Sequence, residues 1–211
     1  MNIDILLPQS GIGFVTNNRG PNGEFQFGQQ STIDAAIRVA GAWDELHSQH
    51  PFSIGQISKK GGGPFPPHKS HRLGLDVDVR PMRTDGKNER VTIADPEYDR
   101  ALTTALINLW WLEAPVQNLF FNDPTVIAAG LSRFVNGHHN HFHARLRTKD
   151  ATIRIGDRGS DVAEVQTKLG LEADGRFGPV TQHAVEQFQA SHGLTPDGVV
   201  GPATWAALKA A

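Results

Sequence analysis

Along residues 31–49, "STIDAAIRVAGAWDELHSQ", the apolar positions Ile33, Ala36, Ile37, Ala40, Trp43 and Leu46 recur every three or four residues. That spacing predicts an amphipathic helix with those side chains inward. Ser31 is expected to cap it, with Asp34 at the position of a capping box. "DPEYDRALTTALINLWW" predicts a second helix, capped by Asp95, opened by Pro96 and buried along Leu102, Ala105, Leu106 and Leu109. "NDPTVIAAGLSRF" repeats the Asp-Pro start at Asp123 and Pro124. Between these helices lie the strand-like runs "PFSIGQIS", "LGLDVDV", "VQNLFF" and "HNHFHARL". Residues 1–30 are rich in Gly, Asn and Pro and read mostly as loop, with a short strand near Ile3–Leu7. Helices and strands mix without a regular βαβ alternation. That predicts an α+β domain around a largely antiparallel sheet.

The pattern changes near residues 148–152. "LEADGRFGPVT" at 171–181 returns as "LTPDGVVGPAT" at 194–204. Each copy has an Asp-Gly turn and then a Gly-Pro that opens a helix. With "SDVAEVQTKL" before them, three short helices are expected around Val162, Val165, Leu169, Val185, Phe188, Trp205 and Leu208. No catalytic groups cluster there, and His183 and His192 read as surface residues. The chain thus divides into a main domain, 1–150, and a small all-α domain, 151–211, that is more suited to binding than to catalysis.

A chain of 211 residues, 38% of them hydrophobic, can bury a sizeable core. Its formal charge of -2 argues against a general affinity for nucleic acid or anionic membranes. The absence of cysteine excludes disulfides, thiolate metal sites and cysteine nucleophiles. No apolar run is long enough to insert across a bilayer. The start, "MNIDILLPQSGIGFV", lacks the basic region of a secretory signal. The expectation is a protein made in the cytoplasm that reaches its site of action by another route, or a chain from which a signal has been removed.

Chemistry concentrates in two of the strands. In "LGLDVDV", Leu75, Val77 and Val79 share one face, leaving Asp76 and Asp78 on the other. In "NHFHARL", Phe142, Ala144 and Leu146 oppose His141, His143 and Arg145. Six of the ten histidines, His68, His71, His138, His139, His141 and His143, fall in these two segments. A lone histidine or aspartate on a polar strand face is ordinarily just solvated. Two clusters together call for a shared purpose, because gathered histidines repel one another as they protonate. A metal accounts for both clusters at once. Nitrogen and carboxylate ligands without thiolate suit zinc first, and other divalent transition metals next. Three protein ligands would mark a catalytic site and four a structural one. The H-x-H pair supplies either two ligands or one ligand and one base; spacing alone leaves both open.

"HKSHRLGLDVDV" and "HHNHFHARL" resemble the penicillin-insensitive murein endopeptidases, within the wider group of zinc peptidases that holds lysostaphin, D-Ala-D-Ala carboxypeptidases and the hedgehog signalling domain. That group carries H-x6-D followed by H-x-H, matched by His71 and Asp78, then His141 and His143. His68 and His138 match histidines of the murein branch three residues before each part. Gly74–Asp78 matches its run GLDVD, Arg145 its basic residue after H-x-H, and "FFNDPTVIAAGL" its segment before the second motif. The resemblance covers roughly residues 30–147. It implies one zinc held by His71, Asp78 and His143, with His141 as general base. It implies that His68 and His138 line the site and assist the oxyanion or the leaving group. Asp76 is then a hydrogen-bond partner of a ligand histidine, and Arg145 a substrate contact. Lys69, Arg72, Arg80 and Arg83 are candidates to meet stem-peptide carboxylates, and His139, of opposite strand parity, is expected to be exposed. "IGDRGSDVAEVQTKLG" and "AVEQFQASHGLTPDGVVGPATW" resemble a three-helix peptidoglycan-binding domain. Together the two resemblances imply an endopeptidase that cuts the D-Ala–meso-diaminopimelate cross-link of peptidoglycan in the periplasm or cell wall. Rival readings are an L-Ala-D-Glu peptidase, a D-Ala-D-Ala carboxypeptidase, and a non-enzymatic wall-binding protein with structural zinc. The setting suits a phage endolysin or a secreted antibacterial effector; for the latter, secretion machinery and an immunity protein are the expected partners.

Overall fold

The computed structural model describes every residue except Met1, Asn18, Pro67 and Lys69. In chain order the main domain runs β1 (Ile5–Leu6), β2 (Ser10–Gly11), β3 (Phe14–Thr16), β4 (Phe27–Gly28), α1 (Gln30–His47), β5 (Phe52–Ile54), β6 (Asp76–Val79), α2 (Arg100–Glu113), β7 (Val116–Phe120), α3 (Pro124–Ala128) and β8 (Phe142–Leu146). Six strands form one sheet in the order β2-β3-β5-β6-β8-β7, and β1 pairs with β4. Every pairing in the large sheet is antiparallel except β3 with β5. The α+β reading with a largely antiparallel sheet therefore holds. Residues 1–30, expected to be mostly loop, supply three strands besides the short one anticipated, and β3 extends the sheet beyond β5.

Alternation sets which face of the sheet is dry. Val77, Val79, Phe142, Ala144, Leu146, Phe52 and Ile54 turn to one side and meet α1 and α2 in a single core. Trp43 and Trp110 both stand edge-on to Phe52, each with ring centroids 6.4 Å apart, so aromatic packing ties both helices to the sheet. The other face keeps Asp76, Asp78, His143 and Arg145.

Three helix expectations need correction. Helix α1 begins at Gln30, after Gln29, and Ser31 caps nothing; Asp34 instead accepts a bond from the Gln30 amide at 2.7 Å. Ile37 and Leu46 are exposed, and Ala35 and Val39 face the core beside Ile33, Ala36, Ala40 and Trp43. The second helix starts at Arg100 with Asp99 as its cap, one turn later than Asp95 and Pro96 suggested. The Asp95 carboxylate is occupied by the Thr92 N–H, and residues 95–98 stay in a turn closed by the Tyr98 N–H to the Asp95 carbonyl. Asp123 does cap α3, accepting from the N–H groups of Thr125 and Val126.

The C-terminal part has helices α4 (Ser160–Lys168), α5 (Pro179–Ser191) and α6 (Pro202–Ala210). Ile153, Val162, Val165, Phe177, Val185, Val200, Trp205 and Leu208 form a second core, so the division between cores falls between Leu146 and Ile153. The repeat is also a repeat of hydrogen bonds. The Gln166 amide bonds Asp174, Thr181 and the Gly175 N–H, and Gln189 bonds Asp197, Thr204 and the Gly198 N–H in the same way. Each buried glutamine thereby ties one Asp-Gly turn to the helix that follows it. The two parts are also joined to each other. Arg147, buried at the end of the main domain, bonds Asp157 at 2.9 Å, Asp161 at 3.1 Å and the carbonyls of Val116 and Arg158.

Candidate active site

Strand register makes the site. β6 and β8 run antiparallel with Asp78 directly opposite His143, and Asp76 opposite Arg145. Because parity puts all four on the polar face of the sheet, the pairs meet side chain to side chain. His143 Nδ1 lies 3.1 Å from Asp78 Oδ1, and its Nε2 lies 2.9 Å from Asp76 Oδ1. Arg145 donates to both Asp76 oxygens, at 2.9 and 3.0 Å. Asp76 is fully buried, so its charge is held by these two partners.

The remaining donors come from the loop before β6. It is pinned at Gly74, whose φ of +63° suits glycine and where a Cβ would stand 2.7 Å from Ile3 and 3.0 Å from the Gln29 nitrogen. Ser58 Oγ donates to the His71 carbonyl at 2.6 Å and fixes the loop's middle. His71 is buried, and its Nδ1 lies 2.7 Å from the Ile57 carbonyl. A carbonyl only accepts, so Nδ1 carries the proton and Nε2 presents a lone pair. That Nε2 is buried without a hydrogen bond and sits 3.2 Å from Asp78 Oδ1. Two lone pairs face each other there. His68 bonds Gln56 through Nε2 and keeps Nδ1 3.9 Å from Asp78 Oδ2. One donor atom each from His68, His71 and Asp78 lies within 4.8 Å of the others, the closeness and composition of a metal-binding group.

His141 stands just before β8, with Nε2 3.7 Å from Asp78 Oδ1 and Nδ1 2.8 Å from the Asn140 side-chain oxygen. His138 packs on it with ring centroids 4.8 Å apart and bonds the Val135 carbonyl. His139 is exposed. A cleft of about 390 Å³ opens over Asp78 between His68, His141, Asn17, Arg80 and Arg90.

The charges follow from burial and partners. Burial lowers His141 to about 4, outweighing Asp78's attraction, so the ring is neutral at pH 7. Burial likewise lowers His68 and His138. Burial also works against a charged His143, but the bonds to Asp76 and Asp78 outweigh it and raise the ring to about 9. Burial works against a charged Asp78, but the bond from His143 and the closeness of His71 outweigh it, and the carboxyl stays well below the usual carboxylate range. Burial and the neighbouring Arg90 both oppose the charge on Arg80.

The structure thus gathers His68, His71, Asp76, Asp78, His138, His141 and His143 in one place. Arg145 is engaged with Asp76. Of the basic candidates, Arg80 lines the cleft, Arg83 is paired with Asp85 at 2.6 Å, Arg72 is exposed, and Lys69 lies outside the described residues. Residue reasoning missed Gln56, Asn140 and the Ile57 carbonyl, which fix the tautomers of His68, His141 and His71. Asn140, adjacent to His141, was the one partner within reach of a sequence argument. It also missed Phe65 and Phe120, which pack on His68 and His143 with centroids 5.2 and 5.6 Å apart.

No curated protein matches the chain. Among solved structures, it is similar to a Burkholderia AP3 phage endolysin, with 47% identity over 28% of this chain and 25% of that one, at a TM-score of 0.28. It is similar to a fused Zn-dependent amidase/peptidase/peptidoglycan-binding domain-containing protein from Clostridium acetobutylicum, with 40% identity over 28% of this chain and 29% of that one, at a TM-score of 0.27. A peptidoglycan-binding protein from Clostridioides difficile shows 37% identity over 29% of this chain and 42% of that one, at a TM-score of 0.28. This chain therefore spans less than half the length of each. The sequence model of peptidoglycan binding domains matches residues 158–208, and that of the penicillin-insensitive murein endopeptidases matches residues 5–112. The latter match begins well before residue 30, where the resemblance was expected to start, and takes in the loop and strand that carry His68, His71, Asp76 and Asp78; it ends at residue 112 and not at 147, so His138, His141, His143 and Arg145 lie outside it. The chain belongs to the penicillin-insensitive murein endopeptidase family and carries a peptidoglycan-binding domain at its C-terminal end.

Proposed function

We propose that the main domain is a zinc endopeptidase that hydrolyses the D-Ala–meso-diaminopimelate cross-link between stem peptides, and that the C-terminal domain holds it on the wall. The observation that carries this reading is the convergence of His71 Nε2 and His143 Nδ1 on Asp78 Oδ1, at 3.2 and 3.1 Å. A tetrahedral zinc with bonds of about 2.0–2.1 Å separates its ligand atoms by about 3.3 Å. The buried, unbonded Nε2 of His71 fits that geometry and has no other use among the described residues. His143 Nε2 is committed to Asp76, which leaves Nδ1 for the metal. The compact donor group contains His68 in place of His143, but His68 Nε2 is held by Gln56 and its Nδ1 stands 3.9 Å from Asp78 Oδ2, against 3.1 Å between His143 Nδ1 and Asp78 Oδ1, which favours a lining role for His68.

When bound, zinc supplies a lowered pKa for water and a positive charge for the amide oxygen. The chain supplies the rest. Neutral His141, with Nδ1–H turned to Asn140, presents Nε2 as a base beside Asp78. It takes the proton of the attacking water and returns it to the leaving amine. His68 also keeps a lone pair on the Asp78 side, which suits an amine N–H better than a carbonyl oxygen. That puts His68 on the leaving-group side of the reaction, while His138 lines the site against His141. Arg145 orients Asp76 and through it His143, a role different from the substrate contact that the resemblance implied.

A purely structural zinc would have no need of a free, neutral base at its edge, and His141 is such a base. This favours the enzyme over the non-enzymatic wall protein. Both a phage endolysin and an effector acting in a competitor's periplasm suit a wall hydrolase of this build. Metal analysis tests the ligand set. His71→Ala and His143→Ala should each lose nearly all bound zinc, and His68→Ala should keep it. Full zinc in the first two, or its loss only in the third, would falsify the assignment.

A further inference from the structure

Proton transfer and metal binding leave one feature of the cleft unused. Arg80 continues the polar face of β6 beyond Asp78, about 7 Å further along the strand by the usual rise. Its backbone N–H is held by Ser53 at 3.0 Å, and its side chain is steadied by the Asn88 carbonyl at 2.8 Å. Arg90 lines the same cleft. Neither guanidinium makes an ion pair with any described residue, and the four undescribed residues include no acid. Arg83, by contrast, is taken up by Asp85. Two unpaired guanidiniums beside a cleft repel one another unless an anion joins them.

Resting on the cross-link reading above, we propose that Arg80 and Arg90 form the subsite for the free carboxylate that the substrate carries next to its scissile amide. In the D-Ala–meso-diaminopimelate link, that carboxylate sits on the carbon bonded to the amide nitrogen. A cross-link through lysine has the same amide but no such group. The pair therefore reads the one chemical difference between the two wall types at the point of cleavage. A site built to bond a group rejects the analogue lacking it.

The test compares cleavage of two disaccharide-free soluble dimers by the zinc-loaded full chain: one with this carboxylate free, the other with it amidated. A lost charge-assisted bond is worth about 10- to 100-fold. The wild type should prefer the free acid by about that factor in kcat/KM, mainly through KM. In Arg80→Gln and Arg90→Gln the preference should shrink toward one, and Arg80→Lys should restore part of it. Zinc content and the unfolding midpoint, measured for each variant, separate this from damage to the fold. Equal cleavage of both dimers by the wild type overturns the carboxylate subsite and leaves the cross-link reading standing. A preference that survives in the double Gln variant also overturns it. A wild type that cuts neither dimer overturns the cross-link reading itself.

Discussion

Asp76 takes bonds from His143 and Arg145 in full burial, and its effect on His143 can be measured. The folded ring titrates near 9, above its ordinary 6.5. In the metal-free protein its charge therefore stabilises the fold fully below about pH 6.5, and this contribution is lost as pH rises through about 9. Zinc at Nδ1 requires that proton to leave. Calorimetry at pH 7 in buffers of different ionisation enthalpy should thus show about one proton released per zinc bound. No release would mean that His143 is not a ligand. Asp76→Asn should weaken zinc binding by roughly 10- to 100-fold, and an unchanged affinity would remove Asp76 from the site. His141→Ala should keep zinc and lose ~10²–10⁴-fold in turnover; wild-type release of muropeptides would assign the base elsewhere. Strand parity alone placed Asp76, Asp78, His141 and His143 on one face, so these residues were legible. The tautomer-fixing partners were not, because Gln56 and Ile57 approach from another strand's continuation and have no motif of their own.

The elements that carry the site differ in how visible they are. β6 and β8 alternate strictly and could be read directly. The loop with His68 and His71 has no periodicity, and its shape depends on contacts with Ile3 and Gln29 that sequence does not announce. Gly74→Val tests that dependence. A β-branched side chain at φ +63° collides with Gln29 and Ile3, and costs of order 1–3 kcal/mol. It should lower the unfolding midpoint and weaken zinc binding together, because it displaces His71 relative to Asp78. Stability and zinc affinity equal to wild type would show that the loop does not need this conformation. Helix starts were the other weak point. Two aspartates, Asp95 and Asp99, compete to cap α2, and the turn that spends Asp95 on Thr92 decides between them. Nothing local in the sequence separates the two.

At the scale of the molecule, Arg147 makes the C-terminal domain a docked part of the structure. It is buried against the partly exposed Asp157 and Asp161, and burial raises Asp161 despite the nearby guanidinium. Arg147→Met leaves Asp161 without its partner and should cost about 3 kcal/mol in urea unfolding. A loss under about 1 kcal/mol would show that the join carries little energy. The change of texture near residue 150 was readable, but the join was not, since Arg147 looks like any basic residue before a boundary. Cleavage of the wall's cross-links is the proposal on which the other predictions rest. Purified sacculi rich in diaminopimelate cross-links, digested by the zinc-loaded full chain and analysed by mass spectrometry, test that claim most directly. Cross-linked dimers should fall to monomers with intact stem peptides and a newly freed diaminopimelate amine. Dimers left intact, or stems cut between L-Ala and D-Glu, would contradict it.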